Sequence, residues 1–309
     1  MSKPFWKGVF PAVTTQLNKD QSVDHAGTAR HIEALIASGV TGVVMCGSLG
    51  ENQQLTQEEK RAVVKRAIEV CKGRVHVLSG VAEPSTQLAI SYTADVAAMG
   101  ADGVMLMPAM NYKGDPRESV AHLRAVAKAV KLPIMIYNNP ISYANDITPQ
   151  MFDELSDVKT FVAIKESSGD VRRVTDLRNT VGDRYALFTG VDDLVLEAAI
   201  LGIDGWVAGA GLAFPRENQY LWELTRAGKW DEARTLYRWC TPLMHLDTHV
   251  KFVQYIKLAI QEFGLGAEWV RAPRLTLTGT ERKAVLAVIE KGLKTRPSIP
   301  KSWKPGTWM

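Results

Sequence analysis

Short apolar segments alternate with amphipathic ones along most of the sequence, and this alternation constrains the fold more than any other feature. The apolar segments are rich in β-branched residues and bounded by turn residues, which is typical of buried strands. Eight segments are predicted as strands: Gly8–Thr15, Thr41–Ser48, Val75–Val81, Asp102–Pro108, Pro133–Asn139, Phe161–Ser167, Tyr185–Val191 and Gly205–Gly211. Helical patterns separate them, among them His25–Ser38, a charged segment that begins near Thr56, Ser85–Met99 and Arg117–Val130.

Nearly continuous apolar strands that alternate with helices indicate an α/β protein with a parallel sheet covered by helices. Eight strand–helix units predict a closed (β/α)8 TIM barrel over residues 1–213, and a doubly wound open sheet is the alternative. Residues 214–295 are predicted to form a C-terminal helical extension, with helices at Pro215–Ala227, Trp230–Asp247, Val250–Phe263 and Glu281–Leu293. Residues 296–309 are predicted to be a loose tail.

Composition narrows the class of protein and the compartment. The net charge is +4 and the basic residues are scattered, so we expect no nucleic-acid partner. No uncharged apolar run is long enough to span a bilayer, and the N-terminus lacks the apolar core of a signal peptide. The three cysteines, Cys46, Cys71 and Cys240, fit a reducing compartment better than a disulfide framework. The sequence therefore predicts a cytoplasmic protein without a membrane partner.

Lys165 is the unusual residue of the sixth predicted strand, because it follows four apolar residues directly. Burying an ammonium group is costly unless it is paired or neutral. In a parallel barrel the chemistry takes place at the carboxyl ends of the strands, where Lys165 lies. A neutral lysine there could form a Schiff base with a carbonyl substrate. A structural ion pair with Glu166 and a phosphate-binding role are the alternatives, although adjacent strand residues point to opposite faces.

Two further strand ends carry polar groups. The segment "CGSLGEN" (Cys46–Asn52) places a hydroxyl and exposed backbone N–H groups at a turn, which is typical of a carboxylate-binding site, although a plain glycine turn would look the same. The segment "YNNP" places the Tyr137 phenol across the barrel, where we expect a hydrogen bond to Ser48 or a simple packing role. The seventh strand ends at Gly190.

Together these segments resemble the dihydrodipicolinate synthase and N-acetylneuraminate lyase family of class I aldolases, over almost the whole chain. The similar segments are "GVFPAVTTQLNKDQSVD", "CGSLGENQQLTQEEK", "IYNNP", "AIKESSGD" and "FTGVDD". The resemblance implies that Lys165 forms the Schiff base with the C2 carbonyl of pyruvate or another 2-oxo acid. It further implies that Tyr137 moves protons and that Ser48, with the backbone N–H of Leu49, binds the substrate carboxylate.

The same resemblance extends the predicted pocket. It implies that Gly47 belongs to the carboxylate turn and that the backbone at Gly190 and Val207 lines the pocket, and Asn139 adds a polar group nearby. No metal and no organic cofactor is implied, because the lysine itself supplies the electron sink. The family is usually tetrameric, a dimer of tight dimers, so a homotetramer is expected.

Three positions differ from the synthases of that family. Leu49 stands where a second hydroxyl residue is usual, and Ser142 stands where an arginine binds the carboxylate of the second substrate. Met110 stands where a tyrosine completes a proton relay across the subunit interface, and Tyr112 is displaced from that place by two residues. Without the arginine, aspartate semialdehyde would lose a charge-assisted contact. The departures favour another substrate.

The turn "GVDD" resembles that of the sugar-acid lyases, whose acidic residues contact substrate hydroxyls, which implies a substrate contact for Asp192. For either Asp192 or Asp193, capping of the following helix is the alternative. We therefore expect a Schiff-base lyase that cleaves, dehydrates or deaminates a hydroxylated or 2-keto-3-deoxy 2-oxo acid. A 4-hydroxy-tetrahydrodipicolinate synthase is the first alternative, and a non-catalytic sugar-acid sensor is the second.

Overall fold

The computed structural model describes residues 6–109 and 112–308, and their strands form one parallel eight-stranded barrel. The strands are β1 (Gly8–Val9), β2 (Gly42–Met45), β3 (His76–Val81), β4 (Gly103–Leu106), β5 (Ile134–Asn138), β6 (Phe161–Glu166), β7 (Ala186–Thr189) and β8 (Gly205–Trp206). From β2 to β8 each strand pairs in parallel with the next in chain order, and β8 pairs with β1. The predicted TIM barrel is confirmed.

The barrel closes between β1 and β2 through residues that follow the short first strand. Ala12 forms a parallel bridge with Val44, and the backbone N–H of Val13 donates to the Val44 carbonyl oxygen at 2.9 Å. The segment predicted as the strand Gly8–Thr15 therefore stays buried and paired, although only its first two residues belong to β1.

Aromatic rings fill the barrel where glycines leave room at the strand starts. Phe10 and Phe188 meet edge to face, with ring centroids 5.4 Å apart. A Cβ at Gly42 would lie 2.2 Å from the Phe10 ring, and one at Gly205 would lie 2.1 Å from the Phe188 ring. These rings pack the amino-terminal half of the barrel, so a ligand can enter only at the carboxyl ends of the strands.

Twelve α-helices cover the barrel and form the extension in the described part of the chain. They are α1 (His25–Ala37), α2 (Gln57–Cys71), α3 (Thr86–Ala98), α4 (Pro116–Ala129), α5 (Pro140–Tyr143), α6 (Pro149–Glu154), α7 (Arg172–Val181), α8 (Val195–Ile200), α9 (Pro215–Arg226), α10 (Trp230–Met244), α11 (Phe252–Glu262) and α12 (Gly279–Lys294). Asp24, Thr56 and Ser85 accept backbone N–H groups as side-chain N-caps of the first three. None of the described helices is both long and apolar enough to cross a membrane.

The C-terminal segment is packed on the protein, so the prediction of a loose tail is wrong. Trp303 is 4% exposed, and its indole N–H donates to the buried Glu223 carboxylate at 3.0 Å. The backbone N–H of Gly306 donates to the same carboxylate at 2.7 Å. A buried carboxylate needs such donors, and residues of the C-terminal segment supply two of them.

Candidate active site

Lys165 and Tyr137 face each other inside the carboxyl end of the barrel. They are register partners on the paired strands β6 and β5. The Lys165 Nζ lies 3.9 Å from the centroid of the Tyr137 ring, and both side chains are 6% exposed. No described residue accepts a hydrogen bond from Lys165 Nζ. The amine is thus held against an aromatic face without an acceptor of its own.

Burial lowers the pKa of Lys165, and the more distant Tyr143, Asp247 and Asp192 oppose this effect. A buried amine loses its hydration, which disfavours the charged form. Glu166 does not offset this cost, because its carboxylate accepts from Asn138 Nδ2 at 3.0 Å and from the Ser168 backbone N–H at 2.6 Å. The ion pair with Glu166 is therefore not formed, and the neutral amine is the form that burial favours.

The predicted carboxylate turn follows β2 and is held in an uncommon backbone conformation. Cys46 has φ of 52° and Glu51 has φ of 60°, both left-handed and unusual for residues with side chains. Within residues 6–109 and 112–308, nothing accepts a hydrogen bond from the backbone N–H of Ser48 or of Leu49. Two successive free N–H groups suit a bound carboxylate.

The extension fixes this turn from outside the barrel. Glu51 is fully buried and accepts from Lys257 Nζ on α11 at 2.5 Å and from the Arg271 backbone N–H at 2.9 Å. Because the Glu51 backbone belongs to the turn, the C-terminal helices set where Ser48 and Leu49 lie. The sequence prediction did not include this contact, which joins residues more than 200 positions apart.

Tyr143, which the sequence prediction did not include, approaches both Ser48 and Tyr137. Its hydroxyl hydrogen-bonds Ser48 Oγ, so Ser48 does not form the direct bond to Tyr137 that was expected. The rings of Tyr137 and Tyr143 meet edge to face, with centroids 5.6 Å apart. Burial raises the pKa of both phenols, and the neighbouring Tyr137 raises that of Tyr143 further.

Asn139 holds Tyr137 and Tyr143 in this arrangement. Its Nδ2 donates to the Tyr137 hydroxyl at 3.0 Å, and its Oδ1 caps α5 by accepting the backbone N–H of Ser142 at 3.0 Å. Ser142 itself is exposed. The position of Met110 lies outside the described residues.

Asp192 and Asp247 place two carboxyl groups beside the turn that follows β8. Asp192 is 1% exposed and accepts from Trp206 Nε1 at 2.8 Å and from the backbone N–H of Ala210 at 2.6 Å. Asp247 lies just after α10 in the C-terminal extension, and a Cβ at Gly209 would lie 2.8 Å from its Oδ2. No described side chain or backbone group donates a hydrogen bond to Asp247.

Burial raises the pKa of Asp192 to about 6, and hydrogen bonds from Ala210 and Trp206 moderate the rise. Burial also raises the pKa of Asp247, and Asp192 raises it further. Two nearby carboxyls in an apolar site do not readily both ionise. The Asp192 carboxylate holds the turn after β8 in place and does not cap α8. A direct contact with substrate stays a prediction.

Gly190 and Ser167 complete the wall around the reactive amine. A Cβ at Gly190 would lie 2.2 Å from both Lys165 Cε and Ser167 Oγ, so only glycine leaves the lysine room. Ser167 Oγ is buried and has no hydrogen-bond partner in the described part of the chain, a feature that sequence reasoning missed. Val207 is buried and its backbone N–H donates to the Thr189 carbonyl oxygen at 2.9 Å, within the sheet. Gly47 lies in the turn beside Ser48.

Comparison with known proteins gives one consistent family. The sequence profile of the Dihydrodipicolinate synthetase family matches residues 5–292. A 4-hydroxy-tetrahydrodipicolinate synthase from Methanosarcina barkeri is 30% identical over 290 residues, which cover 93% of this chain and 98% of that protein.

Solved structures agree with the family assignment. A dihydrodipicolinate synthase from Bacillus anthracis superposes with a TM-score of 0.88 at 29% identity, covering 96% of this chain and 99% of that one. A prophage protein of the family from E. coli K12, solved in complex with pyruvate, superposes with a TM-score of 0.87 at 27% identity, covering 93% of this chain and 99% of that one.

Proposed function

We propose that this chain, which belongs to the dihydrodipicolinate synthetase family of class I aldolase-type lyases, joins Lys165 to the C2 carbonyl of a 2-oxo acid as an imine. One observation carries the proposal. The Lys165 amine is buried against Tyr137 and has no acceptor among the described residues, and Tyr143 links Tyr137 to a turn whose Ser48 and Leu49 N–H groups have no described acceptor either. An amine of lowered pKa attacks carbonyls, and the N–H groups supply an anchor for the neighbouring carboxylate.

The imine explains why one site can serve several reactions. Protonated at nitrogen, it withdraws electrons from C3 of the bound acid. The enamine that forms when C3 loses a proton can add to an aldehyde, and the reverse of that addition cleaves the C3–C4 bond. It can also expel a hydroxyl or an amine from C4. The residues around the outer half of the pocket decide which of these happens.

Three observations support a lyase that acts on a hydroxylated or 2-keto-3-deoxy acid. Ser167 Oγ is buried beside Lys165 without a hydrogen-bond partner among the described residues, and a substrate hydroxyl would satisfy it. The Asp247 carboxyl, to which no described group donates, would hydrogen-bond a substrate hydroxyl or amine, and the neighbouring Asp192 would repel a further carboxylate. Ser142 is exposed and uncharged, where a synthase is expected to carry its arginine.

The second candidate is a 4-hydroxy-tetrahydrodipicolinate synthase, which would condense pyruvate with aspartate semialdehyde. The comparisons support this reaction better than the lyase reaction, because the relative from Methanosarcina barkeri carries that description at 30% identity over nearly the whole chain. Identity at this level fixes the family more firmly than the second substrate. The two candidates share the Lys165 imine and differ only in what the enamine does next.

A turnover panel separates the candidates. Purified protein is offered pyruvate with aspartate semialdehyde, and in parallel 2-keto-3-deoxy acids and hydroxylated pyrroline carboxylates. We expect turnover of a member of the second group, at least about 100-fold above the rate with aspartate semialdehyde. Faster condensation with aspartate semialdehyde would establish the synthase instead.

The variant Lys165→Arg is the matched test of the shared step, because it keeps a long basic side chain and removes the primary amine that attacks the carbonyl. All turnover should disappear in it, and the exposed Lys159→Arg should keep full activity. A folded wild-type protein that binds these acids and turns over none of them would be a sensor. We further propose that the protein acts as a homotetramer, which sedimentation at working concentration tests.

A further inference from the structure

The second phenol of the site comes from the same chain as the lysine. Tyr143 ends the short helix α5, and its hydroxyl bonds Ser48 Oγ while its ring packs edge to face on Tyr137. Tyr143 is half-buried, whereas Tyr137 is 6% exposed. Of the two phenols, Tyr143 is therefore the one that contacts both Tyr137, beside the Lys165 amine, and the solvent at the mouth of the barrel.

We infer that Tyr143 completes a proton path to Tyr137 within one protomer, so that imine formation needs no residue from a partner subunit. The inference rests on the proposed imine chemistry at Lys165. It assigns Tyr143 as a positioning and relay residue, because it acts through Tyr137 and Ser48 and not on the substrate directly.

The path accounts for the proton that imine formation consumes. The neutral Lys165 amine adds to C2, and the proton that nitrogen gives up passes to the former carbonyl oxygen through Tyr137. The C2–O bond then breaks, and the hydroxyl leaves as water with a second proton from Tyr137. The electron pair of the C2–O bond leaves with the water, and the nitrogen lone pair forms the second bond of the iminium. Tyr137 recovers its proton from Tyr143, and Tyr143 recovers it from solvent.

The backbone after β5 fixes the positions of Tyr137 and Tyr143. Asn139 caps α5 and donates to the Tyr137 hydroxyl, so the helix and the first phenol share one side chain. Ala144 then takes a left-handed conformation, with φ of 59°, and its backbone N–H donates to the Pro140 carbonyl oxygen at 3.0 Å. This closes the helix after one turn and fixes Tyr143 at its end.

Tyr112 is the rival source of a second phenol, reaching in from a partner subunit. It is 60% exposed and donates to Glu118 at 2.7 Å on its own chain. The two tyrosines therefore make different predictions. If Tyr143 carries the proton, removing its hydroxyl slows the imine step and removing that of Tyr112 does not.

The variants Tyr143→Phe and Tyr112→Phe test this with pyruvate alone, so that no knowledge of the second substrate is needed. Exchange of the pyruvate methyl protons for deuterium, followed by NMR in D2O, reports imine and enamine formation. We expect Tyr143→Phe to exchange about 100-fold more slowly and Tyr112→Phe to remain within about twofold of wild type.

Chemical rescue distinguishes a proton-relay role of Tyr143 from a purely structural one. Imidazole buffer at rising concentration should restore exchange in Tyr143→Phe, because a small acid can reach a half-buried relay position, whereas a misplaced pocket would not respond. Exchange in Tyr143→Phe equal to wild type, or a loss without rescue, would overturn the relay. A loss in Tyr112→Phe would place the phenol in the partner. Wild type that exchanges no pyruvate protons would instead overturn the imine chemistry itself.

Discussion

At the scale of the residue, Lys165 shows how a barrel can keep a lysine inside. Burial acts to remove its charge, while Asp192 and Asp247 act at longer range to restore it. Because burial is the larger effect, the pKa falls, and the amine is available as a nucleophile at a lower pH than an exposed lysine. The carboxyls limit this fall and do not form an ion pair with the amine.

Gly190 leaves the space that the Lys165 side chain occupies. Gly190→Ala should reduce kcat by about 100-fold, because the added methyl would overlap Lys165 Cε and move the amine by about an ångström. Steady-state kinetics measure the loss of kcat, and a thermal melt shows whether the stability of the fold changes as well. The control is Gly114→Ala, whose methyl would have as its nearest described contact, beyond its two chain neighbours, the flexible end of the Glu118 side chain at 3.3 Å. Equal activity of Gly190→Ala and wild type would show that Lys165 is not confined in this way.

At the scale of the element, the turn after β2 depends on a buried ion pair with α11. Lys257→Met should lower the free energy of unfolding by roughly 3–5 kcal/mol, because it leaves Glu51 buried and without its main cation. Urea unfolding measures the loss. The double variant Glu51→Gln with Lys257→Met should recover most of it. A single variant as stable as wild type would contradict the role of this pair.

Helix α1 introduces a pH dependence of stability through His31. The side chain is fully buried, its Nε2 lies 3.0 Å from the Leu212 carbonyl oxygen, and burial lowers its pKa to about 4. Between pH 4 and the ordinary value near 6.5, the unfolded chain binds a proton that the folded chain excludes. Stability should therefore rise with pH across this window, by roughly 3 kcal/mol.

Urea unfolding of His31→Gln at pH 4.5 and pH 7 checks this contribution. The glutamine amide can still donate to Leu212 but does not titrate, so the difference in stability between the two pH values should shrink. An unchanged difference would show that other groups cause it. The exposed His25→Gln serves as the control and should behave as wild type.

The elements themselves were predictable because their signals are local. Burial on both faces leaves an apolar segment for each strand, and Lys165 stands out because it interrupts one. The position of Tyr143 was not predictable, since α5 has four residues and no periodicity. Its direction depends on the Asn139 cap and on the left-handed Ala144. The contact of Glu51 with Lys257 likewise leaves no pattern in either segment.

At the scale of the whole molecule, the C-terminal segment completes the core that the barrel leaves open. Trp303 packs on Tyr220 of α9, with ring centroids 5.0 Å apart, and Arg296 forms an ion pair with Glu217 at 2.7 Å. Polar and proline-rich sequence predicted a loose tail. The tryptophan and its partner Glu223 lie 80 residues apart, so sequence alone did not pair them.

Trp303→Ala should lower the free energy of unfolding by roughly 3–5 kcal/mol, because it opens a cavity and takes a donor from buried Glu223. Thermal and urea unfolding provide the measurement. Lys301→Ala, an exposed position of the same segment, is the control. Identical stability of the two variants would mean that the segment does not contribute to the core.

Reduction of the protein with borohydride in the presence of pyruvate, followed by peptide mass spectrometry, tests the central claim most directly. The account predicts a reduced pyruvyl adduct on Lys165, within the segment "AIKESSGD", and none in Lys165→Arg. An adduct on another lysine, or none on folded wild-type protein, would contradict it.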